Sequence, residues 1–145
     1  MIIYTMGFTQ KSAEEFFEKV INNKIEIVVD VRLNNQSQLA GFSKGRDLKF
    51  FLEKIAQCEY DHEVSFAPTK ELLNAFKKGE KSWNEYVEIF HKLIVSRKMV
   101  SLFASKYKNY NNVLLLCSEK TPEECHRRLL AEAINKELNY EIKHL

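Results

Sequence analysis

The chain has 145 residues, 45% of them hydrophobic and 29% charged, and 22 basic against 20 acidic side chains give it a formal net charge of +2. This length is enough for one domain with its own hydrophobic core. The near balance of charge gives no argument for a polyelectrolyte that binds nucleic acid. No targeting or membrane-spanning segment is predicted, and the odd number of cysteines, three, indicates reduced thiols in a cytoplasmic protein.

The apolar pattern predicts one α/β domain in which short strands alternate with helices along the chain. Apolar runs predict strands at 2–6, 25–32 and 113–116, and the more polar stretches 60–64 and 140–144 are predicted as a shorter third strand and an edge-like last strand. Helices are predicted between these runs, and capping boxes at Ser12 and Ser82 mark two of the helix starts. Because strands joined by a helix pair in parallel, we expect the first two strands to be neighbours in a mainly parallel sheet of about five strands flanked by helices.

The stretch after the fourth strand carries most of the chemistry of the sequence. Cys117 ends the apolar run, and a short polar turn follows. Thr121 is predicted as a helix N-cap, Pro122 as the first helical residue and Glu124 as the closing residue of a capping box. The first turns of this helix would carry Cys125-His126-Arg127. A strand end, a loop and a helix N-terminus in succession form a concavity that suits an anion.

Ligands of parallel α/β proteins bind outside the carboxyl ends of the strands, and this sequence has distinctive residues at each of those ends. Gly7 would allow the backbone to approach a ligand, and the threonines beside it offer hydroxyl groups. Asp30 and Arg32 are two residues apart, so both side chains would leave the same face of their strand. The residues expected at this rim are Thr5, Gly7, Thr9, Asp30, Arg32, His62, Cys117, Glu119, His126 and Arg127.

These rim residues fit a site for a small anionic molecule or a nucleotide-like group. Arg32 and Arg127 would bind the anion, and Asp30 would orient Arg32. Glu119 or His126 would move protons during a reaction. The set of ligand-contacting residues is completed by Thr5, Gly7, Thr9 and His62. The motifs indicate no particular substrate, cofactor or oligomeric state.

A thiol enzyme with Cys117 as its nucleophile is an alternative function. A cysteine at a strand end, followed by a loop and a helix N-terminus, is the arrangement that stabilises a thiolate in phosphatases and rhodanese sulfurtransferases. The triplet Asp30-Val31-Arg32 also resembles the start of a rhodanese domain. Such loops carry an arginine where this chain has Glu123, and Glu119 would repel an anion near the thiol. A buried, inert Cys117 is the structural interpretation of the same residue.

The same stretch also contains residue types that bind metals. Thiol and imidazole ligands are offered by Cys117, Cys125, His126 and His62. The two cysteines are eight residues apart across a strand-to-helix turn, which is not the tight spacing of structural zinc motifs. On this argument the sequence predicts no metal site.

A module associated with nucleic acid is the second alternative. Lys44, Arg46 and Lys49 form a basic cluster beside a polar loop predicted at Leu33–Gly45. These residues would contact phosphates, and binding would then depend steeply on salt concentration. Basic residues on helices more often form an ordinary solvated face, and the small net charge does not favour this alternative.

The chain as a whole resembles the family named domain of unknown function 488, a group of small, mostly prokaryotic proteins. The matching pieces occur in family order over nearly the full length: Thr5-Met6-Gly7-Phe8-Thr9, Asp30-Val31-Arg32, Gly41-Phe42-Ser43, Tyr60-Asp61-His62, Cys117-Ser118-Glu119 and Cys125-His126-Arg127. The last two pieces together are the most specific motif. The resemblance implies an α/β fold with one polar site shared by these motifs, and it implies no particular reaction.

Overall fold

A computed structural model describes residues 1–36 and 41–145 of the chain. Its strands are β1 (Ile2–Gly7), β2 (Ile27–Asp30), β3 (Glu59–His62), β4 (Asn112–Cys117) and β5 (Glu141–His144). Over the described ranges these five strands form one sheet in the order β3-β2-β4-β1-β5, and every pairing is parallel. The predicted α/β class, a mainly parallel sheet of five strands flanked by helices, is therefore confirmed.

The helices in these ranges are α1 (Ala13–Asn22), α2 (Gly45–Phe51), α3 (Lys70–Lys77), α4 (Trp83–Ser96), α5 (Met99–Tyr107) and α6 (His126–Leu138). Ser82 and Glu85 form the complete predicted capping box, and the Ser12 hydroxyl accepts from the next turn of α1. The predicted loop at Leu33–Gly45 contains a 3₁₀ turn at Gly41–Ser43, and its residues 37–40 lie outside the described part. None of the described helices combines the length and the apolar composition needed to cross a membrane.

Strand β4 occupies the centre of the sheet, between β1 and β2. Its side chains alternate between two hydrophobic cores: Leu115 packs with α3, α4, α5 and α6 on one face, whereas Leu114 packs with α1 and α2 on the other. A strand that is apolar on both faces loses the most water-exposed apolar surface in this central position. The expectation that the first two strands are neighbours is therefore wrong, because each of them pairs with β4 instead.

Helix α6 begins at His126, four residues later than the predicted first helical residue, Pro122. Cys125 is the actual N-cap, and its backbone is extended with φ −137° and ψ 136°. The preceding segment forms turns whose carbonyl groups accept from the Arg128 side chain, at Pro122 O (3.2 Å) and at Glu123 O (2.8 Å). The predicted capping box is thus not formed, and the extended backbone at Cys125 lets its thiol lie beside β4 instead of on a helix.

Candidate functional site

A cavity of about 730 Å³ opens at the carboxyl edge of the sheet. Its wall combines strand ends, the β4–α6 loop and helices α3 and α4. The predicted rim residues that line it are Thr9, Arg32, Cys117, Glu119 and His126. The remaining lining residues are Leu33, Asn34, Pro68, Leu73, Phe76, Lys77, Tyr86, Ser118, Glu124 and Cys125. The edge that parallel topology favours for ligands is therefore concave in this protein.

Two thiols and one imidazole meet at the inner end of this cavity. The Sγ atoms of Cys117 and Cys125 and a ring nitrogen of His126 all lie within 4.8 Å of one another. All three side chains are buried, and the Cys117 side chain is only 6% exposed. The three residues come from the end of β4, the N-cap of α6 and the first residue of α6. The eight-residue spacing that argued against a cluster does not keep these groups apart, because the loop doubles back on itself.

The His126 ring is held in one orientation by the main chain of β2. Its Nε2 lies 2.8 Å from the carbonyl oxygen of Val31, and a carbonyl can only accept, so Nε2 carries the hydrogen. In the neutral ring the lone pair is then on Nδ1, which lies 3.8 Å from the Sγ atom of Cys117. The Phe90 ring packs edge-on against the imidazole, with centroids 5.5 Å apart. The Cys117 Sγ atom is also 4.0 Å from Nε2, so the thiol lies beside the imidazole ring and not along the lone pair of Nδ1.

The surroundings of Cys117 favour its thiolate form. The neighbouring Cys125 thiol, as a hydrogen-bond donor, has the largest effect and lowers the pKa of Cys117. Burial opposes this shift, while the positive charge of Arg127 and the main-chain N–H groups of Ser118 and Glu119 support it. The net result is a Cys117 thiol whose pKa lies below its ordinary value.

The other two cysteines are shifted in the opposite direction. Burial raises the pKa of Cys125 well above its ordinary value, and its interaction with Cys117 adds to this effect. Burial raises the pKa of Cys58 to about 12. Cys58 belongs to the core on the other face of the sheet, so it takes no part in the cavity. The three thiols of the chain thus differ in environment, and Cys117 alone has a lowered pKa among them.

Asp30 and Arg32 form a fully buried ion pair beneath the cavity wall. The Arg32 Nε and Nη2 atoms donate to the two carboxylate oxygens of Asp30 at 2.8 and 2.6 Å. Nη2 also donates to the carbonyl of Ser43 at 2.7 Å, and the Tyr60 hydroxyl donates to Asp30 at 2.7 Å. The Arg32 guanidinium lies over the Phe8 ring, 5.0 Å from its centroid. Burial would lower the pKa of Arg32, but Asp30 outweighs it and raises that pKa.

One nitrogen of the Arg32 guanidinium takes no part in these hydrogen bonds. Arg32 Nη1 is buried and has no hydrogen-bond partner among the described residues. Arg32 lines the cavity, but Nη1 itself is buried, so the predicted anion contact would require the guanidinium to move.

Arg127 lies behind the β4–α6 loop and does not line the cavity. Its side chain is 1% exposed, and Nη1 donates to the carbonyl of Glu119 at 2.7 Å. The Thr9 hydroxyl donates to the neighbouring carbonyl of Ser118. Arg127 therefore acts on the site through the loop and through its charge on Cys117, whereas direct contact with an anion was predicted.

Five of the ten predicted rim residues do not line the cavity: Gly7, Asp30 and Arg127, together with Thr5 and His62. The Thr5 hydroxyl is 2.6 Å from His144 Nδ1, across the β1–β5 pairing. His62 Nε2 is 2.7 Å from the carbonyl of Arg32, so this histidine supports the backbone of the loop after β2. Neither side chain lines the cavity. Both were placed at the rim by strand position alone, which does not distinguish the inside of a cavity from its supporting layer.

The sequence interpretation missed the wall that helices α3 and α4 contribute. Lys77 and Tyr86 line the cavity, but their spacing within the helices is that of ordinary surface and core positions. Cys125 was considered as a metal ligand and set aside because of its spacing from Cys117. Its adjacency to His126, eight residues after Cys117, is the one sequence signal that indicates the cluster.

Gly7 is required by the close approach of β1 to the β4–α6 loop. A Cβ atom at this position would lie 1.6 Å from the carbonyl oxygen of Glu119, which is a main-chain atom. We expect Gly7→Ala to lower the free energy of unfolding by at least about 3 kcal/mol, because the backbone has to move. Urea unfolding measures this. Gly41→Ala is the control, since a Cβ there meets nothing within 4 Å among residues 1–36 and 41–145, and an equal loss in both variants would contradict the prediction.

The fold and the cavity define a parallel α/β protein with a cysteine-histidine cluster at the carboxyl edge of its sheet. The chain belongs to the family described as "Domain of unknown function DUF488", whose family model matches residues 12–134. Comparison with curated proteins and with solved structures gave no significant match. Membership agrees with the resemblance of the sequence motifs, and the family description states no activity.

Proposed function

We propose that the protein acts on a small anionic molecule held in the cavity, and that the Cys117 thiol is the nucleophile. The observation that supports this most directly is the position of the Cys117 Sγ atom, at the cavity wall and beside the His126 ring, 3.8 Å from Nδ1 and 4.0 Å from Nε2. A nucleophile beside a base that a third group orients is the arrangement common to thiol enzymes. Here the third group is the carbonyl of Val31.

In this proposal His126 acts as the general base that takes the proton of Cys117 and as the general acid that protonates the leaving group. Nδ1 of His126 takes the thiol proton, and the resulting imidazolium keeps its Nε2 hydrogen bond to Val31. The thiolate then attacks the electrophilic atom of the substrate, and the leaving group departs with the electron pair of the broken bond. Nδ1–H of His126 can return the proton to that leaving group. Glu119, on the cavity wall, is the alternative proton carrier.

The charges around the cavity favour a substrate with one small anionic group. Lys77 and the Asp30-paired Arg32 supply positive charge at the wall, and Arg32 Nη1 has no hydrogen-bond partner among residues 1–36 and 41–145. Glu119 and Glu124 lie on the same wall and limit the negative charge that the cavity accepts, whether the bound group is phosphate or thiosulfate. The carbonyl groups of Ser118 and Glu119 accept from Thr9 and Arg127, and the main-chain N–H groups of Ser118 and Glu119 act on the Cys117 thiol. We propose sulfur transfer and not phosphoryl transfer, because displacement at sulfur is the step for which a thiolate is the effective nucleophile.

The sulfur-transfer step is balanced without an added oxidant. The Cys117 thiolate attacks the outer sulfur of a sulfane donor such as thiosulfate, a sulfur–sulfur bond forms on Cys117, and sulfite leaves with the electron pair of the old bond. An acceptor thiolate then attacks the outer sulfur of the persulfide and releases the Cys117 thiolate. Both steps are displacements at sulfur, for which a thiolate is the effective nucleophile.

The nucleic-acid alternative gains no support from the cavity. Lys44, Arg46 and Lys49 lie at or within helix α2, and none of them is among the residues that line the cavity. Their arrangement is that of an ordinary solvated helix face.

The experiment is to incubate the reduced, metal-free chain with thiosulfate and to map the adduct by mass spectrometry of its peptides. We expect one added sulfur atom on the peptide that contains Cys117. Cys117→Ser should abolish the adduct, and Cys58→Ser should leave it unchanged, because Cys58 lies in the core on the other face of the sheet. An adduct that persists in Cys117→Ser, or no adduct on the parent chain, would contradict the proposal.

A further inference from the structure

The two thiols and the imidazole at the inner end of the cavity also match the ligand set of a soft metal ion. We propose that Cys117, Cys125 and His126 bind one thiophilic divalent cation, of which Zn²⁺ is the representative, with its fourth position open to the cavity. This inference goes beyond the proposed function. A cation bound to Cys117 would occupy the lone pair with which the thiolate attacks a substrate, so the thiol reaction belongs to the metal-free chain.

The distances fit a tetrahedral ion with little movement. Zn–S bonds of about 2.3 Å and Zn–N bonds of about 2.0–2.1 Å place a sulfur and a nitrogen ligand about 3.6 Å apart and two sulfurs about 3.8 Å apart. Cys117 Sγ is 3.8 Å from His126 Nδ1, and no pair among the three ligand atoms exceeds 4.8 Å. Cys117 Sγ is also 4.0 Å from Nε2, so the three-ligand arrangement is completed by a turn of the imidazole that directs the Nδ1 lone pair at the two thiols.

The hydrogen bond that orients the imidazole of His126 is also typical of a metal ligand. Histidines that bind metals commonly donate their other ring N–H to a carbonyl or a carboxylate, which fixes the tautomer and the ring orientation. His126 donates Nε2–H to the Val31 carbonyl at 2.8 Å, so Nδ1 is left free on the side of the two thiols. The same hydrogen bond that prepares His126 as a base thus prepares it as a ligand.

The donor types select the class of cation. Two thiolates and one imidazole favour zinc and other thiophilic ions over Mg²⁺ and Ca²⁺, which require oxygen ligands. Two thiolates also neutralise a divalent charge, which matters for a site in which each ligand side chain is at most 6% exposed. No carboxylate in the ranges 1–36 and 41–145 joins the cluster. The cavity provides both the path of entry and the space for a water or a substrate at the fourth position.

The test is a titration of the reduced full chain with Co²⁺ under anaerobic conditions. We expect one equivalent to produce the intense visible absorption of a tetrahedral ion and a near-ultraviolet thiolate charge-transfer band, and Zn²⁺ to abolish both. Cys125→Ala and His126→Ala should weaken Co²⁺ binding at least tenfold, whereas the matched variant Cys58→Ala should bind as the parent does. Circular dichroism verifies that each variant is folded.

A second measurement on the parent chain does not depend on folded variants. Zn²⁺ should protect Cys117 and Cys125 together from alkylation, and removal of the ion by a chelator should restore their reaction. The proposal is overturned if Co²⁺ gives no tetrahedral spectrum with the parent chain, or if Zn²⁺ protects neither thiol. The thiosulfate experiment on the metal-free chain tests the thiol function, and the Co²⁺ titration tests the cation site. Each proposal can therefore fail while the other holds.

Discussion

Replacing Asp30 by leucine should lower the free energy of unfolding by about 3–5 kcal/mol, because it leaves the Arg32 charge buried without its partner. Asp30 is 0% exposed and Arg32 is 2% exposed, so water cannot replace the lost contacts. The two carboxylate oxygens of Asp30 accept from Nε and Nη2 of Arg32, and Oδ2 also accepts from the Tyr60 hydroxyl. Urea unfolding monitored by circular dichroism measures the loss.

The double variant Asp30→Leu/Arg32→Met shows whether the unpaired charge causes the loss. Removing both partners leaves no buried charge, so we expect the double variant to be more stable than Asp30→Leu alone. Asp47→Asn, an exposed position on α2, is the control for loss of a carboxylate and should change stability by less than about 0.5 kcal/mol. A double variant that is no more stable than the single one would show that the charge is not the cause.

Replacing Arg127 by methionine should slow the alkylation of Cys117 severalfold at neutral pH and move its rate profile to higher pH. The Arg127 charge lowers the pKa of Cys117, so its removal raises that pKa and leaves less thiolate at neutral pH. Arg127 does not line the cavity, and the effect is therefore on the thiol and not on direct binding of the reagent. The measurement is the rate of iodoacetamide labelling of the Cys117 peptide across a range of pH.

Two variants separate charge from packing in this prediction. Arg127→Lys keeps the positive charge and should restore part of the rate. Arg46→Met removes an exposed arginine on α2 that does not line the cavity, and it should leave the rate profile close to that of the parent. Equal effects of Arg127→Met and Arg127→Lys would assign Arg127 a purely structural role.

Many features of the fold were predicted correctly from local sequence patterns. The continuous apolar run before Cys117 predicts a strand buried on both faces, and β4 is the central strand of the sheet. The capping box at Ser82 depends only on local hydrogen bonds, and it forms as predicted. The carboxyl edge as the place of the cavity follows from parallel topology.

The features that were predicted wrongly depend on contacts between distant segments. The start of α6 was assigned from the capping signals at Thr121 and Pro122, but the Arg128 side chain takes up the carbonyls of this segment and holds it in turns. The insertion of β4 between the first two strands is decided by burial in the whole sheet. The approach of Cys125 to Cys117 depends on the extended backbone at the start of α6, which no local pattern indicates.

The most direct test of the thiol function is the order in which the three cysteines of the folded, metal-free chain react with iodoacetamide at neutral pH. Peptide mass spectrometry assigns each product to one cysteine. Because its pKa is lowered and it lines the cavity, Cys117 should be labelled first, and Cys58 should react only after unfolding. Labelling of Cys117 that begins only when the protein unfolds, together with Cys58, would contradict the account.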